Sequence, residues 1–387
     1  MGWDRQPPEV VAAPAPLVLG RWVMAAGVAA LACVLLFLLF ASERLPQLQA
    51  LNVWVVSGTP LLVWVLAFGA RAYVYGGALS HYQFLEEEAQ GALRAWQDWA
   101  QRYLAVHASC VLLPDQVSAG LLTQGPLGLP PRTGQARRIA ALPAQKEERA
   151  QAGLQLLLPT LGPVLKALPA EQELRVTLLS DAEPGQYEAL RNAWQQSWAF
   201  AMPQAQPATV TLAAQLSYQW LDEKLKTASS AFELIVVLQV HGEAAYSDGL
   251  ATLLLCPDSL ALACELPIKG ALLRPMPLDI NTLQSELPLF LQTQTSVCQA
   301  TALLADSADW QPLAGKIITT GVAHGASLNV KQQWIQETLC GLPGPFSHWL
   351  VVALGVEIAR HQQRPLLVLA QEESQHWIST VSTGEQA

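Results

Sequence analysis

The stretch Phe232-Glu233-Leu234-Ile235-Val236-Val237-Leu238-Gln239-Val240 decides the fold. It is an apolar, partly β-branched run of the kind that forms a central strand buried on both faces. After the turn-prone Ser247-Asp248-Gly249 comes a second apolar strand, Leu250 to Leu255. Two more such runs are Lys316 to Thr320 and Pro365 to Ala370, and Trp377 to Val381 is suited to pair with the last. Upstream, helical and strand patterns alternate. A helix is expected from about Lys146 to Leu168, broken or kinked near Pro159 and Pro163, then a strand Leu174 to Leu179, a helix Gly185 to Trp198, a strand Ala208 to Leu212 and a helix Tyr218 to Lys226. This alternation implies an α/β domain over residues 146–387. No repeat at a fixed short period is visible.

The amino-terminal fifth reads differently. From Trp22 to Ala41 the chain is nearly continuous Ala, Val, Leu and Phe with no charge, about 20 residues and enough to span a bilayer. A second apolar span covers about residues 53–70 and contains Pro60, which membrane helices tolerate where neighbours satisfy the freed backbone. The linker from Ser42 to Asn52 is too short to hold a domain, so residues 22–75 are expected to form a transmembrane hairpin. Arg5 and Arg21 precede it, Arg44 alone lies in the linker and Arg71 follows, which places both ends in the cytoplasm, with residues 1–21 as a short tail. The alternatives are a cleaved signal peptide, disfavoured because Glu43 and Arg44 follow the run, and a periplasmic main domain.

Residues 76–113 carry apolar positions Tyr82, Leu85, Ala89, Leu93, Trp96, Ala100 and Tyr103 at three- and four-residue intervals, an amphipathic stem helix followed by a first strand at Val111 to Leu113. Glu86-Glu87-Glu88 suits docking on protein better than on an anionic leaflet. Residues 114–145, with Gly125-Pro126, Pro130-Pro131 and Gly134, read as a loop. Trp194 with Trp198, and Trp96 with Trp99, stand at helical spacing and should bury their rings, whereas Arg274-Pro275-Met276-Pro277 reads as a rigid connection or a partner surface.

Composition narrows the function. Of 387 residues 51% are hydrophobic and 14% charged, which excludes a disordered chain, and a net charge of -9 would repel nucleic acid. Beyond residue 75 the balance is still more acidic, at 18 bases against 28 acids, so the charge deficit belongs to the folded domain and fits a charge-poor surface for protein partners. The six cysteines form no CxxC pair, and neither a metal site nor a cofactor is expected. There is no GxGxxG, GxxxxGK[ST], GxSxG or HExxH.

The order of small motifs in the carboxy-terminal third resembles β-ketoacyl synthases and other thiolase-like enzymes. Gly242 to Gly249 leads into the strand Leu250 to Leu255, Val322-Ala323-His324-Gly325-Ala326-Ser327 is similar to a strand ending in a His-Gly loop before a helix, and Ser347-His348 opens a small-residue helix with Ala353, Gly355 and Ala359. The resemblance implies a thiolase-like layered α/β domain behind two transmembrane helices. It also implies that His324 and His348 hold the places of the family's oxyanion-stabilising histidines. The family's nucleophilic cysteine, at a helix start upstream of the Gly-rich turn, has no counterpart between Cys110 and Cys256, and Ser347 replaces the family glycine. A catalytically silent relative is the expected outcome, with His324 and His348 as core histidines.

The whole arrangement is similar to accessory inner-membrane proteins of bacterial type VI secretion systems, on segments such as Trp96 to Leu113, Tyr246 to Pro257 and Leu339 to Arg360. That resemblance implies a multi-pass inner-membrane adaptor with a cytoplasmic domain that helps load an effector or assemble the apparatus, with secretion-system or effector proteins as partners. A membrane-tethered thiolase-like acyltransferase using Cys256 or another residue and an immunity protein are the alternatives.

Overall fold

The computed structural model describes residue 3 and residues 11–42, 52–124, 130–169, 171–202, 209–227 and 229–384. Arg5, Glu43, Arg44, Gly125-Pro126 and Ala208 lie outside them. The chain divides into two compact units, residues 7–95 and residues 1–6 with 96–387.

In the smaller unit α1 (Leu19–Ala41) and the larger part of α2 (Val53–Gln101) are two helices long and apolar enough to cross a membrane. No residue of α1 is buried, and Val23, Met24 and Val28 are each more than two-thirds exposed. In a core helix of a soluble domain such residues would face protein. The two helices touch each other: Trp64 Nε1 donates to the Trp22 carbonyl at 3.1 Å, and the Trp22 and Phe68 rings meet edge to face with centroids 5.3 Å apart.

The larger unit is built on one sheet. Its first five strands are β1 (Tyr103–Leu112), β2 (Leu174–Ser180), β3 (Thr209–Ala213), β4 (Phe232–Gln239) and β5 (Gly249–Pro257). The remaining strands are β6 (Gly270–Leu273), β7 (Met276–Leu278), β8 (Ala302–Ala305), β9 (Gln333–Ile335), β10 (Leu366–Glu372) and β11 (Gln375–Thr383). The order β3-β2-β4-β5-β1-β6-β11-β10-β8-β9, with β7 on β11, conceals a duplication. Within β1–β5 the order is third, second, fourth, fifth, first, with the fifth antiparallel to its neighbours; β6 and β8–β11 repeat it, and the halves join antiparallel through β1 and β6.

Helices cover both faces. On the outer face of the first half lie α4 (Lys146–Ala167) and α5 (Tyr187–Ala201). Leu154, Leu157, Leu158 and Leu161 of α4 and Leu190, Trp194 and Trp198 of α5 recur at helical spacing and pack against Leu234, Val236 and Leu238 of β4. Pro159 and Pro163 do not break α4. They free the carbonyls of Gln155 and Pro159, both on the exposed side, where water can satisfy them. On the outer face of the second half lie α8 (Leu283–Thr293) and α9 (Gln311–Ala323).

The inner face wraps around α11 (Ser347–Gln362), whose residues 347–356 are all buried and which touches β1, β5 and β6 as well as β8, β10 and β11. The alternating residues Ile235 and Val237 of β4 and Leu366, Val368 and Ala370 of β10 meet it. The short α3 (Ala119–Thr123) and α6 (Trp220–Lys226) join this middle layer, and α7 (Asp258–Cys264) and α10 (Gln336–Cys340) are the other short helices. The result is a layered α/β domain in which helix, sheet, helix, sheet and helix follow one another.

Three expectations are corrected. Lys316 to Thr320 is not a strand but the middle of α9. Ala314, Ile317, Ile318 and Gly321 form one buried helical stripe, and Pro312 suits the first turn, so tertiary burial overrides the β-branched run. Tyr103 begins β1 rather than ending the stem, because β1 has partners on both sides and lies mid-sheet. Arg274 is no surface residue: it is buried, its guanidinium lies 4.1 Å over Trp99 and bonds Asp222, and Met276 begins β7.

Candidate functional site

The second histidine implied by the family resemblance opens the central helix. His348 is buried, and its Nε2 stands 3.0 Å from the Leu216 carbonyl, which also accepts Trp349 Nε1 at 2.8 Å. A carbonyl only accepts, so Nε2 carries the proton, and burial holds the imidazole pKa below its ordinary value. His348 is a satisfied core histidine whose donor is already used. His348→Ala is expected to cost about 2–3 kcal/mol in a denaturant titration, from the lost packing and the lost bond.

His324 sits elsewhere. It follows the last residue of α9 in the outer helical layer, exposed, with Nδ1 2.9 Å from the Thr320 carbonyl and its backbone N–H donating to Gly321 at 3.0 Å. The sheet separates that layer from α11. The two histidines are therefore not brought together.

The strand–loop–helix unit that the resemblance calls for is formed instead by β8 and α9, and the residue that ends the strand is Asp306. Its carboxylate accepts the Gln371 backbone N–H at 2.7 Å and Trp310 Nε1 at 3.0 Å, with Ser347 Oγ at 3.5 Å. Burial pushes its pKa up to about 7 against these hydrogen bonds. Nearby, Glu372 of β10 accepts Ser217 Oγ at 2.8 Å and the Tyr218 N–H at 2.9 Å, and Tyr218 OH meets Ser379 Oγ at 2.6 Å. The loop after β3 in the first half is thus clamped onto β10 and β11 of the second.

The duplication gives Asp306 a counterpart. Asp181 follows β2 as Asp306 follows β8. The Asp181 N–H donates to Leu238 of β4 at 3.4 Å and the Asp306 N–H to Leu369 of β10 at 3.2 Å. Asp181 accepts the His241 backbone N–H at 2.8 Å, where Asp306 accepts that of Gln371. A sequence signal existed for both: Leu178-Leu179-Ser180-Asp181-Ala182 and Leu303-Leu304-Ala305-Asp306-Ser307 share two leucines, a small residue and an aspartate.

One thiol stands beside a histidine. Cys256 Sγ lies 3.2 Å from His107 Nε2, and His107 Nδ1 lies 3.0 Å from the Pro267 carbonyl, which fixes the proton on Nδ1 and leaves Nε2 to accept from the thiol. Burial pushes the Cys256 pKa up to about 12 and the His107 pKa down, so the proton stays on sulfur. None of the six cysteines stands in the first turn of a helix of the larger unit; Cys264 and Cys340 end theirs. Among the described residues no group of three His, Cys, Asp or Glu is arranged to hold a metal ion.

No protein-family model and no curated protein sequence matches the chain. Solved structures similar to it include a type II polyketide ketosynthase in complex with its acyl-carrier protein (10% identity, 73% of this chain and 99% of that one, TM-score 0.49). The peroxisomal 3-ketoacyl-CoA thiolase of Saccharomyces cerevisiae, described as five-layered and constructed from two core domains of identical topology, shares 10% identity over 73% of this chain and 98% of its own (TM-score 0.46). An oxazolomycin ketosynthase domain of Streptomyces albus shares 13% over 74% and 97% (TM-score 0.45). These likenesses are of fold alone, the layered α/β arrangement.

Proposed function

We propose that the chain is a catalytically silent thiolase-like protein, anchored in the bacterial inner membrane, that serves as an adaptor in type VI secretion by helping to load an effector or assemble the apparatus. The observation that carries the silent reading is His348, whose only proton is committed to the Leu216 carbonyl in a chain with no thiol at a helix start of its α/β domain. The two apolar helices support the anchor. Trp3 supports an even number of crossings: it packs in the same unit as the main domain, donating to the Pro275 carbonyl at 3.0 Å with its ring against Trp99 and Phe290, so the amino terminus and the domain share one side. The secretion role rests on the resemblance of the sequence and on the charge-poor domain.

Incubation of the purified protein with acyl-CoA followed by mass spectrometry tests the reading, alongside capture of partners from native membranes. No acyl adduct, together with co-purification of secretion components, is the expected result. A stable adduct on Cys256 would overturn it in favour of an acyltransferase using the His107 pair.

A further inference from the structure

In a doubly wound sheet the ligand crevice opens outside the carboxyl ends of the strands, at the place where the chain turns away in opposite directions. In the first half that place lies between β2 and β4, since the chain leaves β2 towards β3 on one side and β4 towards β5 on the other. Asp181 directly follows β2 and His241 stands two residues beyond β4, and they are bonded: His241 Nδ1 stands 2.9 Å from Asp181 Oδ1. Tyr246 OH reaches the other carboxylate oxygen at 3.2 Å. The carboxylate accepts a hydrogen bond from Nδ1–H, which leaves Nε2 of the neutral ring as an acceptor. The His241 side chain is 7% exposed, and it lines two cavities, one of 430 Å³ and one of 180 Å³.

The larger cavity is built for an anion with an apolar body. Ile139, Leu142 and Val240 form its walls, and Arg138, Lys146 and Arg149 bring cations to it. Arg149 is fully committed, to the carbonyls of Val240 and Pro143 and to the buried Asp248. Arg138 gives one nitrogen to Asp248 at 2.9 Å and remains 38% exposed, and Lys146 pairs at 3.0 Å with Glu243, which is itself two-thirds exposed and free to swing into water. Lys146 also opens the 22-residue α4, where the partial positive charge of the helix end is set against Glu147 and Glu148 of the first turn, so the cations of the wall are the side chains of Arg138 and Lys146. The equivalent position in the second half is closed, with Trp310 and Ser347 sealing Asp306. The two halves have diverged at one structural position, one sealed and one open.

We propose that this cavity binds a small organic oxyanion that also carries a hydroxyl. Its carboxylate or phosphate pairs with Arg138 and Lys146, and its hydroxyl donates to His241 Nε2. The hydroxyl is the donor that Nε2 calls for in the neutral ring whose Nδ1–H is bonded to Asp181.

Calorimetric titration of the full chain in detergent micelles at constant ionic strength tests this, with 4-hydroxybenzoate, benzoate, 4-hydroxyphenyl phosphate and phenyl phosphate as probes. Saturable binding of a hydroxylated probe at one site per chain is expected, and the tighter of the two hydroxylated probes identifies the head group. Benzoate should bind about tenfold or more weakly than 4-hydroxybenzoate where the carboxylate is preferred. Arg138→Ala should weaken the hydroxylated probes about tenfold, with the exposed Lys146→Ala as the second variant should the first fail to fold. In His241→Gln, whose amide can replace Nδ1 towards Asp181, the advantage of a hydroxylated probe over its hydroxyl-free analogue, benzoate or phenyl phosphate, should vanish. Absence of saturable binding by every probe, equal affinity with and without the hydroxyl, or binding indifferent to the cationic substitutions overturns the proposal.

Discussion

Replacing Asp248 by alanine is expected to remove about 3–5 kcal/mol of stability, the largest loss from any single polar substitution considered. The carboxylate has no solvent exposure and collects three donors, Arg149, Arg138 at 2.9 Å and the backbone N–H of Ile139 at 2.8 Å, while the residue's own N–H donates to the Arg137 carbonyl. Removing it leaves Arg149, itself buried, with a full charge facing only carbonyls. It also frees residues 137–149 from the β4–β5 turn, where that segment shapes the His241 cavity. Urea unfolding followed by tryptophan fluorescence measures the loss. A change below about 1 kcal/mol would show that water already compensates Arg149.

The second large effect depends on pH. The Asp306 pKa is raised by burial from an ordinary carboxylate value to about 7, so the folded chain holds this proton more tightly than the unfolded one. The stability it contributes is fully present below about pH 4, falls as pH rises towards about 7, and is gone above that, a change on the order of 4 kcal/mol. His107 and His348, whose pKa values burial lowers, tilt the curve the other way by favouring the folded state as pH rises. Comparison with Asp306→Asn separates the contributions, because only the Asp306 slope vanishes. The variant should also be weaker at low pH by about 1–2 kcal/mol, since an amide cannot accept from both the Gln371 N–H and Trp310 Nε1. Identical slopes in the two proteins would place the carboxyl in contact with water.

Much of the fold was legible because local pattern and burial agree there. Phe232–Gln239, Gly249–Pro257 and Gln375–Thr383 are strands where apolar runs said so, and Lys146–Ala167 is a helix despite two prolines. Ala302–Ala305 and Gly270–Leu273 were missed because four apolar residues carry no readable period. The site was read less well. His348 was found at the start of its helix, but His324 was drawn in by a His-Gly dipeptide that only marks a helix end, with Gly325 at φ +91°. Asp181, His241 and Asp306 looked like ordinary polar residues. Their meaning comes from strand ends that lie far apart in the chain and adjacent in the sheet.

The sequence by itself determined the two apolar helices and the α/β alternation. Each depends on composition or near-neighbour periodicity, which the unfolded chain already carries. Only the tertiary structure decided that the domain is a duplication of one strand order, that His348 is spent on a carbonyl, and that one of two equivalent aspartates is sealed while the other supports a histidine at an open cavity. Those facts arise from sheet pairing and burial, where residues as distant as Leu216 and His348 share one hydrogen bond.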